Sequence, residues 1–342
     1  MSPLARVGIF GFGRIGRNLL RILSSHAEVE IGAIADLADA RALEYLFRFD
    51  TLLGRFPGTV ALQNGRLNLP GREIPMITGK DQSPIPNWGD LGVETVFEST
   101  SKGRTRGELE RHLAAGARRV IALAPPLDPP DITCVMGVND GDLKSSQRIV
   151  SNASSTVHSL APVAAILDEA FGIRRAFFTT VHSYTSHHRL ADVPSKDMRL
   201  GRAAAENIIP EASRSPEVLM GLLPRLRGKV TGVAMSVPVS NGSLVDLVCW
   251  HDSRVTAESV NEAVRSAASS DRWKKYLAYE TDPIVSSDVA LSQFSGIFDC
   301  LATMAVGEHV SKTICWFDSG FGYAHRAVDL LERFAALDAE AP

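Results

Sequence analysis

Apolar residues in the first part of the chain alternate between two spacings. Short continuous apolar runs are typical of buried strands, whereas apolar residues three and four positions apart are typical of amphipathic helices. The runs interpreted as strands lie at 6–10, 29–35, 95–98 and 119–123, those interpreted as helices lie at 14–25 and 106–115, and a turn-rich stretch follows at 124–131. This order predicts a doubly wound parallel sheet.

The pattern changes at about residue 152. A helical pattern extends to residue 171, and long β-rich runs follow at 174–184, 229–238 and 243–251. We expect these runs to pair antiparallel. The polar residues at 185–202 lack any periodicity, which indicates a long ordered loop of functional kind.

Helical spacing returns at 324–337, and we expect this last helix to pack back onto the first domain. The sequence therefore predicts two domains. Residues 1–151 and 319–342 form the first, a doubly wound α/β domain, and residues 152–318 form the second, an α+β domain with a mixed or antiparallel sheet.

The composition is that of a globular protein with a small soluble ligand. The 342 residues are 45% hydrophobic and 22% charged, and 36 basic against 39 acidic residues give a net charge of −3. Without a block of one sign, neither nucleic acid nor membrane is an expected partner. The start of the chain lacks a signal-peptide pattern, and apolar runs stay below about 18 residues. We expect a cytoplasmic protein.

Four cysteines lie far apart in apolar surroundings: Cys134, Cys249, Cys300 and Cys315. Without a C-x-x-C pair, this spacing predicts buried reduced thiols rather than disulfides or a zinc site.

A G-x-G-x-x-G motif stands where the first predicted strand turns into the first helix. It consists of Gly11, Gly13 and Gly16, with Arg14 and Ile15 as the first helical residues. Such a turn lets the backbone approach a pyrophosphate at a bare helix N-terminus. Asp36 follows 20 residues after Gly16, at the end of the second strand, where a carboxylate accepts from the ribose hydroxyls of NAD and repels the extra phosphate of NADP. The motif and this spacing predict NAD rather than a turn that merely joins strand to helix.

Over nearly its whole length the chain resembles the glyceraldehyde-3-phosphate dehydrogenase family. The matching segments are 7–17 (VGIFGFGRIGR), 45–50 (YLFRFD), 151–154 (SNAS), 179–182 (TTVH), 207–210 (NIIP) and 316–318 (WFD). The resemblance implies a Rossmann domain completed by the C-terminal helix, and a mixed-sheet catalytic domain with a long S-loop, here about 185–202. It also implies a homotetramer.

In that family a cysteine thiolate attacks an aldehyde, a histidine acts as the base, hydride passes to NAD, and phosphate releases the thioester. The resemblance places Ser155 at the position of the thiol and His182 at that of the base. A thiol is partly ionised near neutrality, whereas a serine hydroxyl is hardly ionised at all. A helix N-terminus near Ser155 stabilises an anion by only about 1 kcal/mol. Phosphorylating glyceraldehyde-3-phosphate dehydrogenase activity is therefore not expected.

Other family positions also differ, which favours natural divergence over an engineered Cys→Ser substitution. The departures are Phe10 and Ser319 for asparagines, Leu123 for a serine, Val157-His158 in the run C-T-T-N, Ser213-Arg214 for T-G, and Ser236 for a phosphate-binding arginine.

The resemblance also implies further ligand contacts. Lys80, Ser319 and Tyr323 would complete the cofactor site. The positions implied for the substrate are Ser154, Thr156, Thr185, Arg199, Ser213 and Arg214. A substrate that carries a phosphate or carboxylate is one alternative, and arginines on a solvated loop are the other.

Histidines enrich the predicted cleft, at His158, His187 and His188. We predict no metal site, because adjacent histidines on a loop are more often polar surface and no carboxylate stands at a coordinating spacing.

Three functions are compatible with these residues. The first is an NAD-linked oxidoreductase that interconverts a small alcohol and a carbonyl compound, with His182 as general acid/base and Ser155 holding the substrate oxygen. The second is a non-catalytic paralogue with a regulatory or scaffold role. The third is a hydrolase or acyl transferase that uses Ser155 and His182, which leaves Asp36 unexplained. We favour the first.

Overall fold

The structure is a computed structural model that describes residues 5–79, 85–100 and 102–340. The chain divides into two compact units. The first comprises Met1–Cys134, Gly141–Ala153 and Ala324–Pro342, and the second comprises Val135–Asp140 and Ser154–Tyr323. The functional domain limits given above stay a prediction.

Strands of the first unit form one large sheet and a small hairpin. They are β1 (Ala5–Phe10), β2 (Val29–Asp36), β3 (Phe49–Asp50), β4 (Gly54–Arg55), β5 (Ala61–Gln63), β6 (Arg66–Leu69), β7 (Arg72–Thr78), β8 (Thr95–Glu98), β9 (Arg119–Ala122), β10 (Ile132–Thr133) and β11 (Ile149–Ser151). The large sheet has the order β10-β11-β9-β8-β1-β2-β7-β6-β5 in the described residues. It is parallel from β10 to β7 and ends in the antiparallel strands β6 and β5. The predicted doubly wound sheet is confirmed.

Four helices belong wholly or largely to this unit: α1 (Arg14–Leu23), α2 (Ala40–Arg48), α3 (Arg106–Ala114) and the last helix, α7 (Phe321–Glu340). The ends of the predicted strands and helices up to residue 123 lie within about two residues of the observed ones. The observed last helix, α7, extends beyond the predicted one at both ends. The strands between residues 49 and 78 are additional to the prediction.

The last helix is held against the first unit by a buried cation. Arg119, on β9, is 2% exposed and lies 3.8 Å from the ring centre of Phe334. Its guanidinium donates to Asp338 at 2.9 and 3.1 Å and to the carbonyl oxygens of Ser145 and Gln147. The expected packing of this helix onto the first domain is confirmed.

The second unit contains a seven-stranded mixed sheet, counted over its described residues. Its elements are α4 (Ser155–Phe171), β12 (Ile173–Ser183), β13 (Ile209–Glu211), α5 (Ser215–Leu222), β14 (Val230–Val237), β15 (Ser243–His251), α6 (Ala257–Ala268), β16 (Leu277–Glu280), β17 (Gly296–Val306) and β18 (Val310–Phe317). The strand order is β13-β14-β12-β15-β18-β17-β16.

One pairing in this sheet differs from the prediction. β12 and β15 are antiparallel as expected, but β12 and β14 are parallel. The alternation of apolar residues shows which face of a strand is buried and carries no information on its direction. A parallel pair needs a long crossover, and the residues between β12 and β14 supply it with β13 and α5.

α4 is the central helix of this unit. Every residue from Thr156 to Leu167 is buried, which explains why the helix is apolar on all sides. It packs against β15 and β18 of the sheet and against α5 and α6. This packing fixes the position of the helix and therefore of its first residues.

The four cysteines are free thiols, as predicted, and Cys134, Cys249 and Cys315 are buried, whereas Cys300 is only half-buried. Within the described part of the chain, none of the helices combines the length and the apolar character needed to cross a membrane.

Candidate functional site

The glycine motif of the first unit forms a tight turn between β1 and α1. Gly11 has a φ of +91°, and a Cβ on it would lie 2.7 Å from Thr100. A Cβ on Gly16 would lie 2.2 Å from the carbonyl oxygen of Gly11. Both positions therefore require glycine.

The N-terminus of α1 is bare. Gly13 caps it without any side-chain hydrogen bond, and a Cβ there would meet no atom within 4 Å. Arg14 and Ile15 follow as half-buried residues of the first turn. Backbone N–H groups facing open space at a helix N-terminus suit a pyrophosphate, so the turn fits the phosphates of a dinucleotide.

Asp36 lies beside this turn. Its Oδ2 accepts a hydrogen bond of 2.6 Å from the backbone N–H of Phe12, and its Oδ1 accepts one of 2.8 Å from Ala38. A carboxylate has about four acceptor positions, so these bonds leave capacity for the ribose hydroxyls of a cofactor. The predicted contact of Asp36 with the ribose stays a prediction.

The other predicted cofactor residues lie elsewhere in the chain. Lys80 lies outside the described residues. Ser319 and Tyr323 belong to the second unit, and both are buried. The hydroxyl of Ser319 is 3.3 Å from that of Ser183, and the ring of Tyr323 packs edge-on against His158, with 5.9 Å between the centroids.

Ser155 is the first residue of α4. The preceding residue, Ser154, caps the helix, since its hydroxyl accepts from the backbone N–H of Val157 at 3.3 Å. Ser155 is half-buried, and Thr156 is 8% exposed. The positive end of the helix dipole therefore lies at Ser155, and such an end stabilises a negative charge by about 0.3–1 kcal/mol.

His182 stands near the end of β12 and is half-buried. Its Nδ1 is 2.6 Å from the carbonyl oxygen of Ser183, and its ring packs edge-on against Phe317 at 5.9 Å between centroids. Because a carbonyl oxygen can only accept, this contact assigns the proton of the neutral ring to Nδ1. The expected hydrogen bond between Ser155 and His182 stays a prediction.

A hydrogen-bonded network lies next to His182 in the sheet. Thr185 Oγ1 is 2.6 Å from His187 Nδ1 and 3.1 Å from His188 Nδ1, and the backbone N–H of Thr185 donates to the same His188 nitrogen at 3.0 Å. His188 Nε2 is 3.0 Å from Glu211 Oε1, which also accepts from the hydroxyl of Ser236. The rings of His187 and His188 are stacked, with 4.3 Å between their centroids.

This network contains a carboxylate that the sequence analysis missed. Glu211 lies in the short strand β13, opposite Ala234 of β14, and its carboxylate reaches diagonally to the hydroxyl of Ser236. Burial alone raises the pKa of Glu211, but hydrogen bonds from Ser236 and His188 outweigh it and leave the pKa below its usual value. Glu211 is therefore ionised at neutral pH.

The ligand atoms of His187, His188 and Glu211 lie within 4.8 Å of one another. The premise that no carboxylate accompanies the histidines was wrong, because Glu211 is brought to them by tertiary structure. However, the backbone N–H of Thr185 points at His188 Nδ1, so the proton of the neutral ring is on Nε2, the atom that faces Glu211. This arrangement is that of a hydrogen bond rather than of a metal ligand, and the absence of a metal stays a prediction.

Three further predicted substrate residues, Arg199, Ser213 and Arg214, lie on loops or just before a helix. Arg199 is exposed, and its backbone N–H donates to Asp197. The hydroxyl of Ser213 accepts from the backbone N–H of Ser215, and Arg214 is exposed just before α5. Their role in binding a substrate stays a prediction.

Comparison with known proteins identifies what both units resemble. Residues 5–106 match the NAD binding domain of glyceraldehyde 3-phosphate dehydrogenase, and residues 154–319 match its C-terminal domain. This confirms NAD as the cofactor.

Full-length relatives give the same result. The chain is 42% identical over 328 residues to glyceraldehyde-3-phosphate dehydrogenase 1 of Bacillus cereus, covering 96% of this chain and 97% of that protein. It is 43% identical over 326 residues to glyceraldehyde-3-phosphate dehydrogenase 1 of Bacillus subtilis, covering 95% and 96%. It is 42% identical over 327 residues to the glyceraldehyde-3-phosphate dehydrogenase of Streptomyces coelicolor, covering 95% and 97%.

Proposed function

The chain belongs to the glyceraldehyde-3-phosphate dehydrogenase family, and on that premise we propose that it is an NAD-dependent oxidoreductase that works without a covalent thioester. Its reaction would interconvert a small alcohol and the corresponding carbonyl compound. The observation that carries this proposal is the residue at the start of α4, where the chain places the hydroxyl of Ser155 instead of a thiol.

The cysteines of the chain offer no substitute for a thiolate. Burial raises the pKa of Cys315 to about 12, and it raises the pKa of Cys249 further. Cys134 is 1% exposed. Cys300 is half-buried in the middle of β17. Because a thiol must ionise before it attacks a carbonyl, these positions support chemistry without a thioester.

His182 has the arrangement of a general acid/base. The bond from Nδ1–H to the Ser183 carbonyl fixes the ring, so that Nε2 can take the proton of an alcohol or return it to a carbonyl oxygen. NAD, when bound, accepts or returns the hydride. Ser155 would hold the substrate oxygen by a hydrogen bond at the positive end of α4.

Further contacts of the substrate are proposed at Ser154, Thr156 and Thr185, with Arg199, Ser213 and Arg214 at its periphery. Ser154 and Thr156 flank Ser155 at the helix start, and Thr185 lies three residues after His182. A small polar molecule is the ligand that such a set of hydroxyl groups suits.

The hydrolase alternative is less well supported. In a Ser–His–acid triad, a carboxylate holds the histidine and stabilises its charged form. Here a neutral carbonyl group holds Nδ1 of His182. The histidine would gain no stabilisation when it removes the proton of Ser155, so Ser155 would be a weak nucleophile.

We also propose that the chain forms a homotetramer, as the family resemblance implies. The outer face of the second sheet supports self-association, because large apolar side chains are exposed on it: Phe177, Trp250, Met304 and Val306. Light scattering coupled to gel filtration tests this, and a monomer would contradict it. The cytoplasmic location stays a prediction.

The experiment for the function begins with calorimetric titration of NAD, NADH, NADP and NADPH. Micromolar binding of NAD or NADH is expected. Turnover is then measured with NADH and small aldehydes and ketones, and separately with glyceraldehyde 3-phosphate, NAD and phosphate, the activity that the names of the relatives state. Failure of all four cofactors to bind, or efficient phosphate-dependent oxidation of glyceraldehyde 3-phosphate, would overturn the proposal.

A further inference from the structure

Glu211 shares one face of the sheet with His182. In the register of β12 and β14, His182 stands opposite Ser236, and in the register of β13 and β14, Ser236 stands opposite Ile209. Side chains opposite one another on neighbouring strands point to the same face, and Glu211 is two residues beyond Ile209, so it shares that face too. Neighbouring strands lie about 5 Å apart. The hydrogen bond from Ser236 therefore holds the carboxylate beside the proposed acid/base.

His188 acts as a donor toward this carboxylate. Its Nδ1 accepts the backbone N–H of Thr185, so the proton of the neutral ring is on Nε2, which donates to Glu211. Burial lowers the pKa of the stacked His187 ring, which is therefore neutral near pH 7. Against the effect of burial, the hydrogen bonds from Ser236 and His188 lower the pKa of Glu211, so the carboxylate is negatively charged.

One oxygen of this carboxylate remains suited to a ligand. The hydrogen bonds from Ser236 and His188 both end on Oε1, and 21% of the side chain is exposed, so Oε2 can accept from a bound molecule. A partly buried carboxylate attracts hydroxyl and ammonium donors and repels a phosphate or carboxylate, because charges interact more strongly away from bulk water.

We infer that Glu211 determines substrate specificity: it selects hydroxyl- or ammonium-bearing carbonyl compounds and excludes those with a phosphate or carboxylate beside the reacting carbon. This inference rests on the proposed function for the position of the reacting carbon next to His182. The sequence leaves open whether the substrate carries a phosphate or carboxylate, and this inference favours a substrate without either group. It also assigns a role to Glu211, which takes no part in cofactor binding or in the acid/base step.

The test compares three variants with the wild type: Glu211→Gln removes the charge, Glu211→Asp keeps it, and Glu217→Gln removes an exposed charge from α5 in the same unit. Binding of inorganic phosphate is measured by calorimetry, which needs no turnover. We expect Glu211→Gln to bind phosphate at least about tenfold more tightly than the wild type, with the other two variants unchanged. Thermal melting confirms that each variant is folded.

The second measurement is the ratio of kcat/KM for glyceraldehyde to that for glyceraldehyde 3-phosphate, both reduced with NADH. The wild type and Glu211→Asp should favour the uncharged aldehyde, and Glu211→Gln should lower the ratio about tenfold or more. Equal phosphate binding by wild type and Glu211→Gln would overturn the inference whatever the turnover. Loss of all turnover with the expected phosphate result would overturn the proposed function and leave the electrostatic role of Glu211 standing.

Discussion

The carboxylate of Asp36 is bound to the backbone N–H of Phe12 at 2.6 Å, so the acid at the end of β2 also fixes the glycine turn after β1. One side chain thus serves two purposes. It holds the glycine turn through this hydrogen bond, and we predict that it also accepts from a ribose hydroxyl of the cofactor. A change at Asp36 is therefore expected to affect binding of both halves of the adenosine diphosphate group.

Asp36→Asn should weaken NAD and NADH binding by roughly tenfold or more, because a charge-assisted hydrogen bond contributes about 1.5–3 kcal/mol. It should also reduce the discrimination against NADP. Calorimetric titration of the four cofactors measures both effects. The matched control is Asp39→Asn, since Asp39 caps α2 and asparagine is an equally good cap. Unchanged NAD affinity in Asp36→Asn would contradict the predicted ribose contact.

His182→Asn should lower kcat about a hundredfold to ten-thousandfold, the usual range for a lost general acid/base. The pH profile of kcat/KM should lose one of its ionisations. His309→Asn is the control, because His309 also places Nδ1 against a backbone carbonyl, that of Ser253, but lies in the turn before β18. If both variants lose activity alike, the effect belongs to folding and not to proton transfer.

Ser155→Ala separates a positioning hydroxyl from a nucleophile. Loss of one hydrogen bond to the substrate oxygen costs about 1–3 kcal/mol, or roughly five- to hundredfold in kcat/KM. Loss of a nucleophile would remove turnover almost completely. Ser155→Cys should not create phosphorylating activity on glyceraldehyde 3-phosphate, because Ser236 and Ser319 also depart from the family. Strong rescue by the cysteine would show that these two departures matter little.

Thiol alkylation should leave the wild type active. Iodoacetamide near neutral pH is expected to label Cys300 first, since the other three cysteines are buried and burial raises the pKa of Cys315 to about 12. Peptide mass spectrometry and activity are followed together. Ser155→Cys provides the comparison, because a thiol at the start of α4 should ionise more readily and be labelled faster. Inactivation of the wild type in step with labelling would contradict a reaction that needs no thiol.

Asp338→Asn should destabilise the first unit by about 2–4 kcal/mol, because it leaves the buried guanidinium of Arg119 without its counter-charge. Urea unfolding followed by fluorescence gives the change in midpoint. Asp271→Asn is the control, as its ion pair with Lys274 is exposed and its loss should not move the midpoint. An equal and small effect of both variants would show that this pair does not hold α7.

Hydrophobic periodicity and motif spacing predicted the central strands β1, β2, β8 and β9 of the first unit and the helices α1, α3 and α7, but not α2. β8 lies at the predicted residues, and the glycine turn has the conformation that its motif demands at Gly11 and Gly16. Such features depend on neighbours in the sequence, so periodicity and spacing reveal them. The short strands β3 to β6 escaped prediction because segments of two to four residues are too short for a periodic pattern.

The site in the second unit depends on distant residues, and its prediction was incomplete for that reason. The motif at 179–182 indicated His182, but the partners of Thr185 are decided by the fold. Glu211 joins His188 across 23 residues and Ser236 across 25. The spacing of residues in a single sequence does not predict contacts between residues so far apart. The parallel direction of β14 escaped for the same reason, since it is a property of the crossover and not of the strand.

The parallel pairing of β12 with β14 also governs when this unit can work during folding. The two strands are separated by all the residues between Ser183 and Val230, and closing so long a loop has a large entropic cost before any contact compensates for it. His182 and Ser236 face each other across this pairing. They therefore come together only after β12 and β14 have paired. A chain in which β14 has not yet paired with β12 would lack the residues that lie beside His182 in the folded sheet.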